Sequence, residues 1–316
     1  MTSIIVYNEN RKDLLSLCLD SIRLHTKAGS YEIIVVDNQS SDGSAAYLRQ
    51  QPDVRTIYAA EKIGFAQACN LGLQAASGKE LLLLSAAAIA TPSWLDNLLL
   101  CLYAHSRTGA VSCLTNSCSN FQQLEVSYKL PDLEGLFSFG SSYNKSDSNK
   151  WQRMLKLSMF CFLFKREVYE KTGALDERFS SYHYDNYADD DYCIRIWQNG
   201  YECVLAKDTF IHHSTNDVLR ELGIEQGMPG ADSSYEQHRQ LFLNKWGIGA
   251  HYPVIDATLC YYADDLPEDA DVLVLDCHEG HDLFYLEALG KNLNLYGMSN
   301  NSLDSHWRRM MNYFLN

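Results

Sequence analysis

The first ninety residues alternate between short apolar runs and segments with apolar positions at helical spacing. Strands are predicted at residues 3–7, 32–36, 54–58 and 80–84, with helices at residues 12–26, 44–50 and 64–76 between them. Continuous apolar strands joined by helices are typical of a parallel sheet covered by helices on both faces. The pattern therefore predicts an α/β fold.

The alternation continues after Pro92, with helices predicted at 93–105, 166–172, 189–199 and 233–246 and strands at 109–113, 159–165, 202–206 and 209–212. Residues 116–149 are rich in Ser, Asn and Gly and predict a long irregular connection. Such a connection within an α/β domain is either a functional loop or a surface loop without a function of its own.

The pattern starts again after residue 247, which predicts a main domain at 1–247 and a small α/β extension at 248–316. The extension has predicted strands at 270–276 and 293–298 and a helix at 281–289. It faintly resembles the start of an S-adenosylmethionine-dependent methyltransferase, although only Gly280 stands where several glycines are expected, and Met298 and Ser299 replace the acidic ribose ligand. We favour a structural role for the extension, or a role as a docking surface for a partner protein. The alternative is that it is a truncated Rossmann-like segment of a longer chain.

Charge and cysteine content indicate which partners the chain can bind and which cellular compartment suits it. The net charge of −14 disfavours nucleic acid and anionic lipid surfaces, which are bound through Lys and Arg. Ten scattered cysteines without metal-like spacing favour a reduced, cytoplasmic chain. No apolar run reaches the ~18 residues of a membrane span and no signal peptide is visible, so we expect any membrane contact to be peripheral.

Polar or glycine-containing motifs follow most of the predicted strands, where an open α/β sheet binds its ligands. They are Tyr7-Asn8-Glu9, Asp37 to Ser44 (DNQSSDGS), Glu61 to Ala66 (EKIGFA), Thr91 to Leu95 (TPSWL), Gly173 to Phe179 (GALDERF), Ala188 to Arg195 (ADDDYCIR), Gly200-Tyr201, Ile211 to Ser214 (IHHS) and Tyr235 to Gly247 (YEQHRQLFLNKWG).

In their order and intervals, these motifs resemble the large inverting glycosyltransferase family 2, which includes rhamnosyl-, galactofuranosyl- and polysaccharide-type transferases. The resemblance covers about three quarters of the chain and implies the GT-A (nucleotide-diphospho-sugar transferase) fold, a mostly parallel central sheet flanked by helices. It implies a UDP- or dTDP-sugar donor and a glycan, lipid-linked or protein acceptor. Residues 116–149 and 214–234 would shape the acceptor side.

The resemblance also implies roles for individual residues. The base and ribose would be lined by Tyr7, Glu9, Asp37 and Ser40, with Asp37 accepting a hydrogen bond from the uracil or thymine ring. The pocket floor near the diphosphate would be shaped by Gly64, Phe65 and Asn70. Asp189, with Asp191 in the same acidic segment, would supply the general base. The competing interpretation of these aspartates is stabilisation of a helix start.

One departure from the family pattern concerns the metal site. The family's Asp-x-Asp falls on Ser85, Ala86, Ala87 and Ala88, and no carboxylate lies between Glu80 and Asp96. His212 and His213 stand where the family places a metal-ligating histidine, but a Mn²⁺ or Mg²⁺ ion would lack its carboxylate anchor. The cations that could replace the ion are Lys62, Lys207 and Arg239.

Three explanations of the alanines stay open at this point. The chain is a metal-independent transferase, a non-catalytic homologue that still binds nucleotide sugar or acts as a scaffold, or an experimentally substituted form of an Asp-containing original. An S-adenosylmethionine-dependent enzyme is a further hypothesis that rests only on the extension.

Overall fold

A computed structural model describes residues 1–118, 122–154, 156–179, 187–214 and 234–246, and short pieces between residues 265 and 298. Its first half follows the predicted alternation closely. The elements are β1 (Thr2–Asn8), α1 (Lys12–His25), β2 (Tyr31–Asp37), α2 (Ser44–Leu48), β3 (Val54–Tyr58), α3 (Phe65–Ala75) and β4 (Glu80–Ser85).

The second half adds six strands and five helices to this unit. Its elements are β5 (Ala88–Ile89), α4 (Trp94–Ala104), β6 (Thr108–Leu114), α5 (Leu133–Tyr143), β7 (Trp151–Met154), β8 (Cys161–Lys165), α6 (Arg166–Thr172), α7 (Ala188–Gln198), β9 (Glu202–Phe210), β10 (His212–His213) and α8 (Ser234–Trp246).

Eight strands form one central sheet in the order β3-β2-β1-β4-β8-β6-β9-β7. Strands β8 and β7 run against their neighbours and the others are parallel. Helices bury both faces: Leu82 and Leu84 point into one apolar cluster, and Leu81 and Leu83 into the other. The predicted mostly parallel sheet flanked by helices is confirmed.

The predicted irregular connection at residues 116–149 is wrong in part, because it contains α5 and leads into edge strand β7. Two glycines lower the helix propensity of α5, and tertiary packing overrides this. At Gly140 an added Cβ would lie 2.4 Å from Thr91 Cβ, so only glycine allows α5 this close. Strand β9 is also continuous, where the sequence predicted two short strands.

Two strands of the extension are described, β11 (Asp271–Leu275) and β12 (Asn294–Met298), and they pair in parallel as a separate sheet. Leu293 and Leu295 share a buried cluster with Phe242 and Trp246 of α8. The predicted helix at 281–289 lies outside the described residues, apart from helical Leu286. The domain boundary at residue 247 stays a prediction.

Asn144 fixes α5 to the main sheet and provides a test of this packing. Its buried amide donates to Thr91 Oγ1 (2.9 Å) and Pro92 O (2.8 Å) and accepts from Phe210 N (2.7 Å). We expect Asn144→Ala to lower the free energy of unfolding by about 2–4 kcal/mol, because buried backbone groups lose their partners. Exposed Asn149→Ala is the control, and equal losses in urea denaturation would contradict this assignment.

Candidate functional site

The carboxyl ends of the parallel strands bring the first candidate residues together. Within the sheet, Asn8 of β1 lies opposite Asp37 of β2, and Tyr7 lies opposite Ser85 of β4. Polar side chains from three consecutive parallel strands therefore meet at one edge. This is the edge at which open α/β sheets bind ligands.

Glu9 is the centre of a hydrogen-bonded cluster beyond β1. Its carboxylate accepts from Tyr7 Oη (2.6 Å), Asn38 Nδ2 (3.0 Å) and Lys62 Nζ (2.7 Å). Burial acts to raise the pKa of Glu9, but these hydrogen bonds outweigh it and hold the pKa below its usual value. The predicted residues Tyr7, Glu9 and Lys62 thus lie together, and Glu9 is held as a carboxylate.

Asp37 and Ser40 form a second cluster beside the first. Asn8 Nδ2 donates to Asp37 Oδ1 (2.8 Å) and lies 3.1 Å from Ser40 Oγ. Ser40 N donates to Asp37 Oδ2 (3.3 Å), and Asn10 N donates to Ser40 Oγ (2.9 Å). Asp37 is only 2% exposed, so its orientation is fixed before any ligand arrives.

Two asparagines that the sequence did not predict as site residues organise both clusters. Asn38 lies within hydrogen-bonding distance of Tyr7 Oη (3.1 Å), donates to Ile63 O (2.8 Å) and accepts from Ile63 N (2.9 Å). Asn8 connects Asp37 with Ser40. Their position in the sequence, next to Tyr7 and Asp37, is the signal that could have found them.

The three residues predicted to lie near the diphosphate differ in their packing and hydrogen-bond partners. The Phe65 ring packs edge-on against Tyr7 with ring centroids 5.7 Å apart. Gly64 precedes α3 at an ordinary φ of −77°, and its N–H donates to Gln67 Oε1, so it caps a helix. The buried Asn70 amide exchanges hydrogen bonds with the Leu175 backbone (3.0 and 2.9 Å), which connects α3 to a distant loop, and its role near the diphosphate stays a prediction.

Ala86 and Ala87 form a buried turn and Ala88 begins β5, and we call residues 86–88 the alanine turn. Ala86, Ala87 and Ala88 are at most 2% exposed. The turn leads into β5, which pairs antiparallel with β10 so that His213 lies opposite Ala88. Ser214 N closes the arrangement by donating to Ala87 O (2.9 Å).

Both histidines of β10 have their ring nitrogens engaged. His212 lies 2.7 Å from Tyr128 Oη and 3.2 Å from Ser214 Oγ. His213 Nδ1 lies 3.3 Å from the Ser117 carbonyl oxygen and Nε2 lies 3.2 Å from Ser85 Oγ. Because a carbonyl only accepts, Nδ1 of His213 carries the proton and Nε2 accepts from the Ser85 hydroxyl.

Electrostatics keep these imidazoles neutral. Burial lowers the pKa of His212 to about 4, and His213 contributes to that shift. Burial also lowers the pKa of His213 to about 4, against a hydrogen bond to Ser117, and the Arg11 guanidinium adds to the lowering. Burial disfavours the charged imidazolium, and the ring nitrogens of both histidines have neutral hydroxyl or carbonyl partners.

The residues around the alanine turn do not fit a divalent ion. The alanine side chains offer no oxygen, and the Nε2 lone pair of His213 is directed at the Ser85 hydroxyl. Within the described part of the chain, no group of three or more His, Cys, Asp and Glu residues is arranged to hold a metal. The predicted metal roles of His212 and His213 therefore lack support in this geometry.

The first turn of α7 lies at the same edge of the sheet. Strand β8 runs antiparallel to β4 with Cys161 opposite Leu84, so the chain approaches β8 from the carboxyl end of β4. Lys156, just before β8, pairs with Asp190 at 3.2 Å. Asp189 stands one residue earlier and is partly exposed. The predicted base is thus on the correct edge, and its role stays a prediction.

Asp191 is placed differently from its predicted catalytic role. It is fully buried, and its carboxylate pairs with Arg195 (2.9 Å) and Lys245 (2.6 Å) and accepts from Trp246 Nε1 (2.9 Å). These contacts fasten α7 to α8. A buried carboxylate with such partners is suited to positioning the helix, and the catalytic role of Asp191 stays a prediction.

The three cations expected to replace the metal all have other partners. Lys62 pairs with Glu9 and is about half exposed, at 47%. Lys207 donates to Gln152 on edge strand β7, and Arg239 pairs with Glu236 within α8. These contacts do not place any of the three cations at the alanine turn.

Among the residues that the structure describes, no helix is long and apolar enough to cross a membrane.

The lowered pKa of His212 predicts that the stability of the fold depends on pH. The unfolded chain protonates this group near pH 6.5 and the folded chain only near pH 4, so stability is lost as the pH falls through that window. Lowering the pH from 7 to 4.5 should reduce the free energy of unfolding of the wild type. We expect this reduction to be smaller in His212→Gln by on the order of 2–3 kcal/mol. Exposed His105→Gln is the control for replacing a histidine. An unchanged pH dependence in His212→Gln would refute the assignment.

Comparison with known proteins agrees with the fold. A curated relative, the O-antigen biosynthesis protein RfbC of Myxococcus xanthus, is 28% identical over 224 residues, which cover 67% of this chain and 17% of that protein. The chain therefore spans about a sixth of that relative's length.

Similar solved structures include GalNAc-T7 with UDP, GalNAc and Mn²⁺, at a TM-score of 0.56 and 15% identity, covering 84% of this chain and 54% of that one. S. aureus TarS with UDP-GlcNAc has a TM-score of 0.54 and 12% identity, covering 77% and 66%. The mannosyltransferase PcManGT of Pyrobaculum calidifontis, with GDP-Man and Mn²⁺, has a TM-score of 0.50 and 20% identity, covering 99% and 84%.

These identities support the GT-A fold alone. The family model "Glycosyl transferase family 2" matches residues 3–173, which is more than half of the chain. The protein therefore belongs to glycosyl transferase family 2.

Proposed function

We propose that this chain transfers a sugar, with inversion, from a UDP- or dTDP-sugar to a glycan, lipid-linked or protein acceptor. The observation that carries the proposal is the pair of hydrogen-bonded clusters around Glu9 and Asp37 at the carboxyl edge of the sheet, in a chain of this family. Edges of this kind hold nucleotides in α/β folds. The solved structures hold UDP-GlcNAc in one case and GDP-Man in another, which supports a nucleotide-sugar donor.

Asp37 suits a uracil or thymine ring. Its carboxylate is held in place by Asn8 and the Ser40 backbone, and a carboxylate accepts from the N3–H that these two bases share. Cytosine has an unprotonated N3 there, so it would meet the carboxylate with a lone pair. Base selection then follows from the fixed orientation of one side chain.

Asp189 is our candidate for the general base. As the acceptor hydroxyl oxygen forms its bond to the anomeric carbon, the bond from that carbon to the diphosphate oxygen breaks and its electron pair leaves with the nucleoside diphosphate. The hydroxyl proton passes to the Asp189 carboxylate. Asp191 acts as a positioning residue, because its ion pairs with Arg195 and Lys245 fix the helix that carries Asp189.

A second candidate function is a non-catalytic module that binds nucleotide sugar. The alanine turn favours it, because the family's metal normally lowers the barrier by several kcal/mol and these residues do not fit one. Binding without turnover would distinguish this function from transfer.

We also propose a cytoplasmic location, based on the cysteine pattern, and a docking role for the extension. The docking role is supported by Leu273 and Tyr296, which lie opposite each other across β11 and β12 and are 59% and 46% exposed.

Asp37→Asn tests base recognition. We expect UDP affinity to fall about tenfold or more in calorimetry, because the ring N3–H loses a charged acceptor. We expect CDP to be rejected less strongly than by the wild type, since the asparagine amide can donate to cytosine N3. Exposed Asp13→Asn is the charge control. Unchanged UDP and CDP affinities would exclude Asp37 from the base site.

Asp189→Asn tests transfer. We expect sugar transfer or donor hydrolysis to fall by about 100-fold or more, in the range seen for a lost general base, while UDP affinity stays within about twofold. The assay follows UDP release from a panel of UDP- and dTDP-sugars and acceptors, again with Asp13→Asn as control. Wild-type binding with no turnover across the panel would favour the non-catalytic module. Full activity in Asp189→Asn would remove Asp189 as the base.

A further inference from the structure

The first turn of α7 carries three consecutive aspartates with different surroundings. Asp190 and Asp191 are buried, whereas Asp189 is partly exposed. Neighbouring positions on a helix do not face each other, so the three carboxylates point in different directions. Asp191 pairs with Arg195 and with Lys245 of α8. These pairs hold one side of the turn, and Asp190 is directed to another.

Lys156 provides the cation beside Asp190. Its Nζ lies 3.2 Å from Asp190 Oδ2, and the two side chains are 18% and 7% exposed. Removing a carboxylate from water is costly unless a cation or hydrogen bonds compensate it. Salt screens a pair at this depth less than a pair at the surface. The contact therefore restrains α7 more strongly than an exposed ion pair would.

The main chain beside Lys156 is itself anchored on two sides. Leu157 N donates to Cys193 Sγ within α7 (3.3 Å). Ser158 N donates to Gln122 Oε1 (2.7 Å), and the buried Gln122 amide donates to the backbone of β6 (3.0 Å). This segment therefore connects α7 to a central strand of the sheet, and Lys156 extends from a fixed backbone.

A hydrogen bond connects the ion pair to Asp189. The backbone N–H of Asp190 donates to Asp189 Oδ1 (2.9 Å), so the residue that Lys156 holds also orients the Asp189 carboxylate. A shift of Asp190 would be transmitted directly to that carboxylate. Displacement of a catalytic group by about 1 Å can lower a rate by about 100-fold. The ion pair is thus placed to control the direction of the Asp189 side chain.

We propose that Lys156 is a positioning residue for the general base, because its ion pair with Asp190 holds the turn of α7 that carries Asp189. The proposal rests on the proposed function, in which Asp189 takes the proton of the acceptor hydroxyl. Lys156 then acts on the chemical step and not on donor binding. Loss of the pair would lower kcat, whereas the KM for the donor and the affinity for UDP would stay close to their wild-type values.

Lys156→Gln tests this role, with Lys150→Gln as the matched control. Lys150 is exposed and its Nζ lies 3.9 Å from Asp147, so the control removes a Lys–Asp pair at the surface. We would measure kcat and KM with the UDP- or dTDP-sugar that the wild type turns over fastest, and UDP affinity by calorimetry. Urea denaturation would report the stability of each variant.

We expect Lys156→Gln to lower kcat by about 10- to 100-fold, with KM and UDP affinity within about twofold of the wild type. Lys150→Gln should match the wild type in all three. Lys156→Arg, the conservative variant, should retain most of the rate because it keeps a positive charge beside Asp190.

A double-mutant cycle with Asp190→Asn separates positioning from direct contact with the diphosphate. If Lys156 acts through Asp190, the double variant Lys156→Gln with Asp190→Asn loses no more rate than the larger single loss. The double variant also removes both charges of the pair, so it keeps the test valid if Lys156→Gln alone is unstable. Losses that multiply would show that Lys156 acts independently of Asp190 and would overturn the proposal.

The possible outcomes separate this proposal from the proposed function. An unchanged kcat in Lys156→Gln, or a loss confined to KM and UDP affinity, would overturn the role of Lys156 while sugar transfer stands. A loss of kcat that Lys156→Arg does not restore would also overturn it. A wild-type chain that binds UDP without turnover across the panel would overturn the transfer function, and the role of Lys156 with it.

Discussion

The site depends on the parallel pairing of β1 with both β2 and β4. This register sets Asn8 beside Asp37 and Tyr7 beside Ser85, so that three strands end in polar groups on one edge. Because the strands are buried on both faces, a slip by one residue would move every side chain into the opposite apolar cluster, whose close packing is built for other side chains. Core packing therefore fixes the positions of the polar clusters, and no ligand is needed to assemble them.

The alanine turn, where the family resemblance predicts a metal site, is closed by protein groups. The short pairing of β5 with β10 and the bonds from His213 to Ser85 and Ser117 satisfy the polar atoms there. Neutral imidazoles need no metal to stay buried. This closed local structure is consistent with nucleotide binding that does not use an ion at the turn.

The sequence predicted the sheet and brought together the polar residues around Glu9, because both depend on local pattern, namely apolar strands with polar residues directly after them. It did not predict α5, whose glycines are poor helix formers and whose position depends on contact with Thr91. It did not predict the long-range partners that the structure gives to Asn70 and Asp191, namely Leu175 and Lys245. Motif position alone does not reveal which buried polar group has a partner far along the chain.

We propose that the chain binds a nucleoside diphosphate at this edge without a divalent ion. Calorimetric titration of the wild-type chain with UDP and dTDP, in EDTA and in Mn²⁺, tests this proposal. We expect binding in EDTA, with an affinity that Mn²⁺ changes by less than about twofold. Binding that requires Mn²⁺ would show that an ion takes part in holding the diphosphate.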